Sequence, residues 1–430
     1  METLTYLVVG GGGREHTIIR KLKESADVDK IYCTPGNGGI SKDAEVFSVA
    51  ATDIDGVVAL AEQLKVDCVF VAPDDPLVLG MVDALNERGI RAFGPNKKAA
   101  IIEGSKVFSK ELMKKYGIPS AAYEVFNDPK AALDYIKSRD SYPAVIKADG
   151  LALGKGVVIA ENFDEAKAAI HSIMEDKIFG NSGNNIVIEE FLTGPEVSVL
   201  AFTDGHCVKP MVSSMDHKRV FNGNLGPNTG GMGTISPNPF YTDEVAQECM
   251  DNIFLPTINA MNAEGRTFKG CLYFGLMLTP NGPKVIEYNC RFGDPEAQVV
   301  LPRLKTDFST IINAIIDEKL SDLDIEWDDG ACACVIMASG GYPGKYEKGI
   351  EITGLDKNGQ VEGATVYHAG TACSEFAGGG FLTNGGRVLG VTAKGANLDE
   401  ALANAYAAVE KIKFKGAHYR TDIGRAYKKS

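Results

Sequence analysis

Apolar runs alternate with helical patterns over the first hundred residues. Residues 4–9 form an apolar run that ends at four consecutive glycines beginning with Gly10, and a helical pattern follows. Later apolar runs end at the loop 35–38 (Pro-Gly-Asn-Gly) and at Pro73. Strands separated by helices predict a doubly wound parallel α/β sheet. Because ligands of such sheets bind at the carboxyl ends of the strands, these loops are candidate binding loops.

From about residue 120 the pattern changes to β-hairpins. Apolar segments at 144–147 and 157–160 flank a glycine-rich loop, and those at 271–278 and 284–289 flank the turn Thr-Pro-Asn-Gly-Pro. Alternating apolar segments on either side of such turns predict antiparallel strand pairs. The middle of the chain is therefore expected to be built on hairpins, unlike the first domain.

The last hundred residues begin with an acidic stretch at 321–330 that has few apolar positions, and we expect a linker there. Short strands with glycine-rich turns and a helix at 398–413 follow, which predicts a small mixed α+β domain. We therefore divide the chain into three parts: residues 1–103, residues 104–326 with a lid subdomain at about 120–193, and residues 327–430.

Composition narrows the class of protein. The 430 residues are 44% hydrophobic and 23% charged, which is ordinary for a folded protein and argues against disorder. The net charge of -13 argues against a general nucleic-acid binder. No apolar stretch is long enough for a membrane helix, and the first residues do not resemble a secretion signal. Nine scattered cysteines indicate reduced packing residues, so we expect a cytoplasmic protein that contacts neither nucleic acid nor membrane.

The first glycine run resembles a dinucleotide-binding turn, but its spacing does not fit. Glu15 occupies the position where close packing of helix and strand requires glycine or alanine. A strand, a flexible turn and a helix N-terminus remain, which suit a phosphate or carboxylate. Arg14 and His16 favour anion binding, and a plain tight turn is the alternative.

The second glycine-rich loop, 149–156, carries Lys155 and follows a strand that contains Lys147. Gly156 stands where a P-loop has the Ser or Thr that contacts magnesium, and a strand follows where a P-loop has a helix. A glycine hairpin with a lysine can instead close over phosphates as a lid. A solvated turn is the alternative.

The strand 284–289 carries the strongest chemical signal. Alternation places Val285, Glu287 and Asn289 on one face, with Glu287 and Asn289 about 7 Å apart. A carboxylate and an amide oxygen at that separation can bind a hard cation that bridges nucleotide phosphates, so we expect Mg²⁺ or Mn²⁺ rather than zinc. Arg291 and two more acidic residues follow in the next turn. An exposed edge strand is the alternative.

The order of these elements resembles the ATP-grasp fold, and the motifs resemble the phosphoribosylamine–glycine ligase family over nearly the whole chain. The matching motifs are Gly-Gly-Gly-Arg-Glu-His (11–16), Pro-Gly-Asn (35–37), Glu-Gly-Ser-Lys (103–106), Lys-Ala-Asp-Gly-Leu-Ala (147–152), Gly-Lys-Gly-Val (154–157), Asp-His-Lys-Arg (216–219), Gly-Pro-Asn-Thr-Gly-Gly-Met-Gly (226–233), Glu-Tyr-Asn-Cys-Arg-Phe-Gly-Asp-Pro-Glu (287–296), His-Ala-Gly-Thr (368–371) and Asn-Gly-Gly-Arg-Val-Leu (384–389).

The resemblance implies that ATP, glycine and 5-phosphoribosylamine give glycinamide ribonucleotide, ADP and phosphate through glycyl phosphate, in the second step of purine synthesis. It implies the following site residues. The catalytic residues would be Arg291, Lys147 and Asp216. The ATP-binding residues would be Lys106, Lys147, Lys155, Glu189, Glu190, Leu192 and Glu196, with Glu287 and Asn289 on the metal. The substrate-binding residues would be Gly12, Gly13, Arg14, Glu15, Asn37, His217, Lys218, Asn228, Thr229 and Asp294.

Within this resemblance, the backbone of Glu190 and Leu192 would meet the adenine edge, and Glu196 the ribose. The segment 216–219 would close over glycine and the ribose phosphate, with a solvated loop as the alternative. For His368, two interpretations stay open: a structural role and a contact with substrate. The chain departs from the family pattern at three places, namely Ala72-Pro73-Asp74, Pro195 and Asn224.

Two rival functions stay open at this stage. One is another ATP-grasp enzyme of purine synthesis, either a carboxylase or a formate-dependent transformylase. The other is a regulatory module that binds a nucleotide without turnover, although such a module would normally lose part of the lysine and metal set. We further expect a monomer with a single activity, since 430 residues leave no room for a fused second enzyme, and transient contact with neighbouring purine-pathway enzymes is compatible with it.

Overall fold

A computed structural model describes residues 3–151, 156–374 and 379–425. The first domain is a five-stranded parallel sheet with helices on both faces, as predicted. Its first strand is buried on both faces, which explains its continuous apolar run. In spatial order the strands are Glu45–Val46, Val28–Pro35, Leu4–Gly10, Cys68–Val71 and Arg91–Phe93. The helices are Gly13–Leu22, Ile54–Leu64, Asp74–Leu79, Met81–Glu87 and Lys97–Gly104.

A second sheet has a separate apolar core and lies where the lid subdomain was expected. All three of its strand pairs are antiparallel, in agreement with the predicted hairpin pattern. The strands are Tyr123–Phe126, Ile186–Glu190, Ala144–Ala148 and Val157–Ala160, and the helices are Pro129–Arg139 and Phe163–Ile170.

The central sheet is antiparallel and ends in the strand that carries Glu287. The prediction that Val285 shares a face with Glu287 was wrong. Gly275 pairs with Glu287 but Leu276 pairs with Val285, so the residue between them is extra and shifts the alternation. Val285 is consequently buried in the core. The strands are Val208–Pro210, Glu196–Thr203, Gly270–Thr279 and Gly282–Asn289. The helices of this region are Lys106–Tyr116, Asp243–Cys249, Leu255–Ala263, Ala297–Val300 and Phe308–Ile316.

The C-terminal sheet takes two strands from the middle of the chain. Met215–Asp216 and Gly233–Ser236 pair with each other, and the second pairs with Ala331–Ala338. The sheet therefore crosses the boundary expected at residue 326, and it also fixes both ends of the segment 217–232. The remaining strands of this sheet are Arg387–Gly395 and Thr365–His368. A small separate sheet consists of Glu351–Ile352, Phe381–Thr383 and Thr371–Cys373. A two-stranded ribbon consists of Arg219–Phe221 and Leu225–Asn228. The helix is Leu398–Val409.

The three parts share a continuous core. Phe292 lies 6.2 Å from Phe70 of the first domain and 6.0 Å from Phe202 of the central sheet, measured between ring centroids. The expected linker is also packed, because Trp327 and two nearby aliphatic side chains lie against this core. All nine cysteines are free, and seven are buried. The aromatic contacts hold the loop after strand Gly282–Asn289 against the first domain.

Candidate active site

Two lysines approach one place from different elements. Lys147 is buried on its lid strand, where its Nζ lies 3.0 Å from Glu189 Oε1 and donates to the Ile286 carbonyl at 3.1 Å. Lys106 is the first residue of its helix, and its Nζ donates to the Gly150 carbonyl at 2.7 Å. Burial, assisted by the charge of Lys147, lowers the pKa of Lys106. Two ammonium groups crowded at a partly buried site suit a phosphate chain.

A third lysine, Lys110, was not predicted. It lies one helical turn after Lys106 and is almost fully buried, with its Nζ 3.2 Å from Glu189 Oε2. Burial lowers the pKa of Lys110 to about 8. Glu189, which we expected to bind the nucleotide, therefore has one carboxylate oxygen toward Lys110 and the other toward Lys147. The i, i+4 spacing of two lysines opposite an acidic strand was the signal in the sequence.

Glu287 and Asn289 lie on one face, as predicted. Lys218, which we expected to bind substrate, places its Nζ 3.4 Å from Glu287 Oε1. Lys218 is the largest influence on Glu287, and with Lys147 and Lys106 it outweighs burial and lowers the pKa of Glu287 to about 2. The carboxylate is thus ionised at every pH of interest, which a divalent cation requires of its ligand.

Arg291 is held between two acids of the first domain. Its Nη2 lies 3.0 Å from Glu103 Oε1 and 3.8 Å from Asp74 Oδ2, and it also donates to Asn289 Oδ1 at 3.3 Å. Glu103 in turn accepts from the backbone amide of Cys290 at 2.7 Å. Glu103 was part of a recognised motif but had no predicted role. The shorter acid at position 74 still reaches Arg291.

The residues expected around the adenine and ribose lie at the end of the lid strand Ile186–Glu190 and after it. The amide of Glu190 donates to the Ala122 carbonyl at 2.9 Å, so this amide is already engaged, and the Glu190 carboxylate accepts from Lys284 at 3.2 Å. Leu192 is half-buried, and Glu196 is exposed enough to meet a ligand, with Oε2 4.0 Å from Lys218 Nζ. Lys155, the predicted lid lysine, lies outside the described residues.

A cleft of about 340 Å³ opens between the first and C-terminal domains. Three predicted substrate residues line it, namely Gly12, Asn37 and Asp294. The C-terminal domain contributes Tyr342, Ala369, Gly370, Thr371, Asn384 and Arg387. None of these six was predicted to line a site, although most lie in or beside motifs that match the family. Arg387 could have been suspected from its glycine-rich turn.

Arg387 is the charged side chain that the C-terminal domain brings to this cleft. It donates to the carbonyls of Gly230 at 2.6 Å and Asp294 at 2.8 Å, and its Nη2 lies 3.4 Å from Asp294 Oδ2. Burial acts to raise the pKa of Asp294, but the charges of Arg387 and Arg14 outweigh it and lower that pKa. Asp294 is therefore an anion, and it also accepts from Gln298 at 2.8 Å.

Three other predicted substrate residues, Gly13, Arg14 and Glu15, serve the turn itself. Glu15 accepts from the Gly12 amide at 2.7 Å and pairs with Arg14 at 2.7 Å, which caps the helix. Arg14 Nη1 donates to the Phe292 carbonyl at 3.1 Å. A Cβ at Gly13 would come within 2.6 Å of the Gln298 amide nitrogen, so a glycine permits this contact. These side chains hold the turn in shape, so the backbone of the turn is the part left to contact a ligand.

The residues of the segment 216–219 have different surroundings: some lie at the site, and others are packed in the interior. His217 is buried, its Nδ1 lies 3.1 Å from the Gly233 carbonyl, and its Nε2 accepts from the Gly424 amide at 3.0 Å. Both ring nitrogens of His217 thus contact backbone groups, and its substrate contact stays a prediction. Burial lowers the pKa of His217 to about 4. Asp216 is half-buried, and burial together with the charge of Glu296 raises its pKa well above the ordinary value.

Thr229 and Asn228 stand at the end of the ribbon that follows. The Thr229 hydroxyl donates to the Lys218 carbonyl at 2.8 Å and accepts from the Gly231 amide at 2.9 Å. Asn228 is exposed and pairs with Arg219 in the ribbon. The ribbon thus holds Lys218 close to Glu287.

The two halves of the site meet at one carbonyl group. Arg291 Nη1 and Arg14 Nη1 both donate to the Phe292 carbonyl, at 3.3 and 3.1 Å. Arg291 belongs to the lysine-rich half, which we call the nucleotide half, and Arg14 to the glycine turn of the cleft, which we call the acceptor half. An anion activated in one half would therefore lie close to a group bound in the other.

Three family models match successive parts of the chain. They are the N domain, the ATP-grasp (A) domain and the C domain of phosphoribosylglycinamide synthetase, over residues 4–103, 104–297 and 332–426. A phosphoribosylamine–glycine ligase from Caldanaerobacter subterraneus is 49% identical over 421 residues, which cover 98% of this chain and 99% of that protein.

Solved structures that share the fold include a ligase and a carboxylase domain. A phosphoribosylamine–glycine ligase from Thermotoga maritima matches with a TM-score of 0.81 and 33% identity, over 98% of this chain and all of that one. The biotin carboxylase domain of a 2-oxoglutarate carboxylase from Hydrogenobacter thermophilus matches with a TM-score of 0.73 over 97% of this chain and 92% of that one. At 16% identity, the second likeness concerns the fold alone.

Proposed function

Because the chain belongs to the phosphoribosylglycinamide synthetase family, we propose that it joins glycine to 5-phosphoribosylamine at the expense of ATP. The products are glycinamide ribonucleotide, ADP and phosphate. The observation that supports this best is the meeting of a cation-rich nucleotide half and an interdomain cleft at the Phe292 carbonyl. A ligase needs such a junction, because the activated acid must form beside the amine.

In the nucleotide half, Lys106 and Lys147 bind the phosphate chain of ATP. The strand 186–190 and the residues after it receive the adenine, and Glu196 receives the ribose hydroxyls. Phosphoryl transfer depends mainly on positioning and on charge neutralisation, which these lysines and Arg291 supply. Glu189 keeps Lys147 in place through the 3.0 Å ion pair.

Glu287 and Asn289 suit a divalent metal ion, Mg²⁺ or Mn²⁺. Their oxygens are the hard ligands that these ions prefer, and the low pKa of Glu287 keeps the carboxylate charged. The described residues contain no cluster of three or more His, Cys, Asp or Glu arranged for a metal. When bound, the ion would neutralise charge on the phosphates during transfer.

The chemistry then follows from the electrophile that is needed. A glycine carboxylate oxygen attacks the γ-phosphorus, and the bond to ADP breaks, giving glycyl phosphate. The amine nitrogen attacks the glycyl carbonyl carbon, phosphate leaves with one former glycine oxygen, and a proton is lost from nitrogen. Arg291, beside Asn289, stabilises the transferring phosphoryl group. Asp216 and Lys218 close the site around glycine.

The acceptor half binds phosphoribosylamine. Backbone groups of the glycine turn and of Gly370 and Thr371 face the cleft, and Arg387 supplies positive charge for the ribose phosphate. We further propose that the protein acts as a monomer in the cytoplasm. In the part of the chain that the structure covers, no helix is both long and apolar enough to cross a membrane.

Substrate omission tests this function. Purified protein is given Mg²⁺, ATP, glycine and freshly generated phosphoribosylamine, and phosphate release is recorded with each component left out in turn. We expect phosphate only from the full mixture. Equal ATP hydrolysis without the amine would contradict the proposal, and turnover driven by bicarbonate or formate in place of glycine would instead support another ATP-grasp activity.

A further inference from the structure

His16 lies at the contact between the first and C-terminal domains. It sits in the first turn of the helix Gly13–Leu22, and its ring is fully buried. Its Nδ1 accepts the backbone amide of His368 at 2.8 Å, and its Nε2 lies 2.9 Å from Asp43 Oδ2. A backbone amide can only donate, so Nδ1 carries no proton. Nε2 must therefore carry one and donate it to Asp43, which fixes the tautomer.

The surroundings of His16 hold it in this neutral form. Asp43 also pairs with Lys23 at 2.6 Å and with Arg20 at 3.8 Å, so its charge is shared among three groups. The ring of His368 lies 5.7 Å from the ring of His16. Burial, together with the nearby cations, lowers the pKa of His16. The bond from the His368 amide is thus available throughout the neutral pH range.

The loop 35–40 of the first domain also contacts the end of the strand Thr365–His368. Asn37 donates to the His368 carbonyl at 2.8 Å, and the Gly38 amide donates to the Thr371 carbonyl at 3.0 Å. A Cβ at Gly39 would lie 2.1 Å from the His368 ring, and one at Gly38 would lie 2.6 Å from Ala372. The backbone of this loop therefore lies so close to the C-terminal domain that the two cannot shift relative to each other without a clash.

The residues that directly follow His368 form one wall of the acceptor half. Ala369, Gly370 and Thr371 line the cleft opposite Gly11 and Gly12. His368 directly precedes this stretch, and its amide and its carbonyl both bind residues of the first domain. The width of the cleft therefore depends on where His16 and Asn37 hold His368.

We propose that His16 is a positioning residue for phosphoribosylamine, setting the distance between the glycine turn and the wall 369–371 through its bond to the His368 amide. The inference rests on the proposed function, because it takes the cleft to be the amine site. Nothing in it involves the nucleotide half. The expected signature is a change in affinity for the ribose phosphate ligand with an unchanged affinity for ATP.

Two substitutions separate the two bonds of His16. In His16→Asn, the side-chain oxygen can take the place of Nδ1 and accept from His368, while the bond to Asp43 is lost. In His16→Gln, the longer amide can reach Asp43, while the His368 amide loses its acceptor. An unpaired buried amide costs enough to weaken binding about 10- to 100-fold. His206→Gln, at an exposed histidine, is the matched control.

Calorimetry with glycinamide ribonucleotide, and separately with Mg-ATP, gives the readout. We expect His16→Gln to bind the ribonucleotide about 10- to 100-fold more weakly and His16→Asn to stay within about threefold of the wild type. ATP binding should be unchanged in both. Equal losses in the two variants, or no loss in a folded His16→Gln, would overturn the inference. Failure of the wild type to bind the ribonucleotide would instead contradict the proposed function.

A spectroscopic measurement on the unmodified protein covers the case in which a variant fails to fold. The ¹⁵N chemical shifts of His16 should show an unprotonated Nδ1 and a protonated Nε2 at pH 7. The opposite tautomer in the wild type would rule out the bond on which the inference depends.

Discussion

The nucleotide half and the acceptor half of the site are held together by different kinds of contact. In the nucleotide half, charged side chains compensate one another: Glu189 lies between two lysines, and Glu287 faces Lys218. In the acceptor half, backbone groups and glycines meet across two domains, and the 3.4 Å pair of Arg387 and Asp294 is an ionic contact in this half. Loss of one charge in the first half leaves a partner uncompensated, whereas loss of one contact in the second changes the position of a wall.

The largest effect is expected at Glu287. Glu287→Gln keeps the shape but removes the charge, so a metal loses its anionic ligand and Lys218 its main partner. Since metal-dependent charge stabilisation is worth several kcal/mol, we expect kcat to fall by about 10³-fold or more. Steady-state phosphate release measures it, with Glu124→Gln on an exposed strand position as the control. A rate within about twofold of wild type would remove the metal assignment and the contrast between the halves.

Arg387→Met tests the acceptor half. The variant removes the donor to Gly230 and leaves Asp294 without its cation, so we expect KM for phosphoribosylamine to rise about 10- to 100-fold with KM for ATP unchanged. Arg387→Lys should recover part of the loss, because it keeps the charge but not the fork of donors. Lys357→Met, an exposed position in the same domain, is the control. A parallel rise in KM for ATP would show that the two halves are not separable.

Lys110→Met sharpens the view of the nucleotide half. Without Lys110, one oxygen of Glu189 has no cation, and the carboxylate can draw Lys147 away from the phosphates. We expect KM for ATP to rise about tenfold, with Lys110→Arg restoring much of it. Lys114→Met lies one turn along the same helix at an exposed position and serves as the control. An unchanged KM in a folded Lys110→Met protein would limit Lys110 to packing.

The last prediction concerns the stability of the fold, and not turnover, through the buried histidines around the acceptor half. Burial lowers the pKa of His368 to about 3 and of His217 to about 4, and it also lowers that of His16. The unfolded chain, with histidine pKa near 6.5, takes up these protons first. The free energy of unfolding should therefore be full above about pH 6.5 and fall below it, by up to about 1.4 kcal/mol per pH unit for each histidine.

Urea unfolding at several pH values between 7 and 4.5 checks this slope, and His206→Gln should leave it unaltered. A free energy of unfolding that stays level over that range would contradict the neutral, buried state of these rings. Glu287 contributes at lower pH, because its pKa falls from the ordinary value near 4.5 to about 2 on folding, so its stabilisation is lost as the pH drops from about 5 toward 2.

The contrast between the halves also explains what the sequence could and could not predict. The parallel sheet followed from apolar runs, and Glu287 with Asn289 followed from local alternation along one strand. Val285 was misplaced because a bulge shifts the alternation, and such a shift depends on pairing with a distant strand. Arg387 was missed because its partners, Gly230 and Asp294, lie far from it in the chain.

The spacing of residues along the chain also does not show which polar side chains already form hydrogen bonds within the protein. His217 and Glu15 belong to motifs that match the family, yet their polar atoms bind backbone or neighbouring side chains. Glu103 shows the reverse, since it had no predicted role and yet holds Arg291 at 3.0 Å. Burial and hydrogen bonding within a folded chain decide between these cases, and neither can be read from residue type alone.

The central claim is that glycine is activated as an acyl phosphate at the junction of the two halves. Turnover with glycine labelled by ¹⁸O in both carboxylate oxygens, followed by mass spectrometry of the phosphate, tests it most directly. The account predicts one ¹⁸O atom in each released phosphate and one retained in the amide product. Phosphate without label, released in step with product, would contradict it.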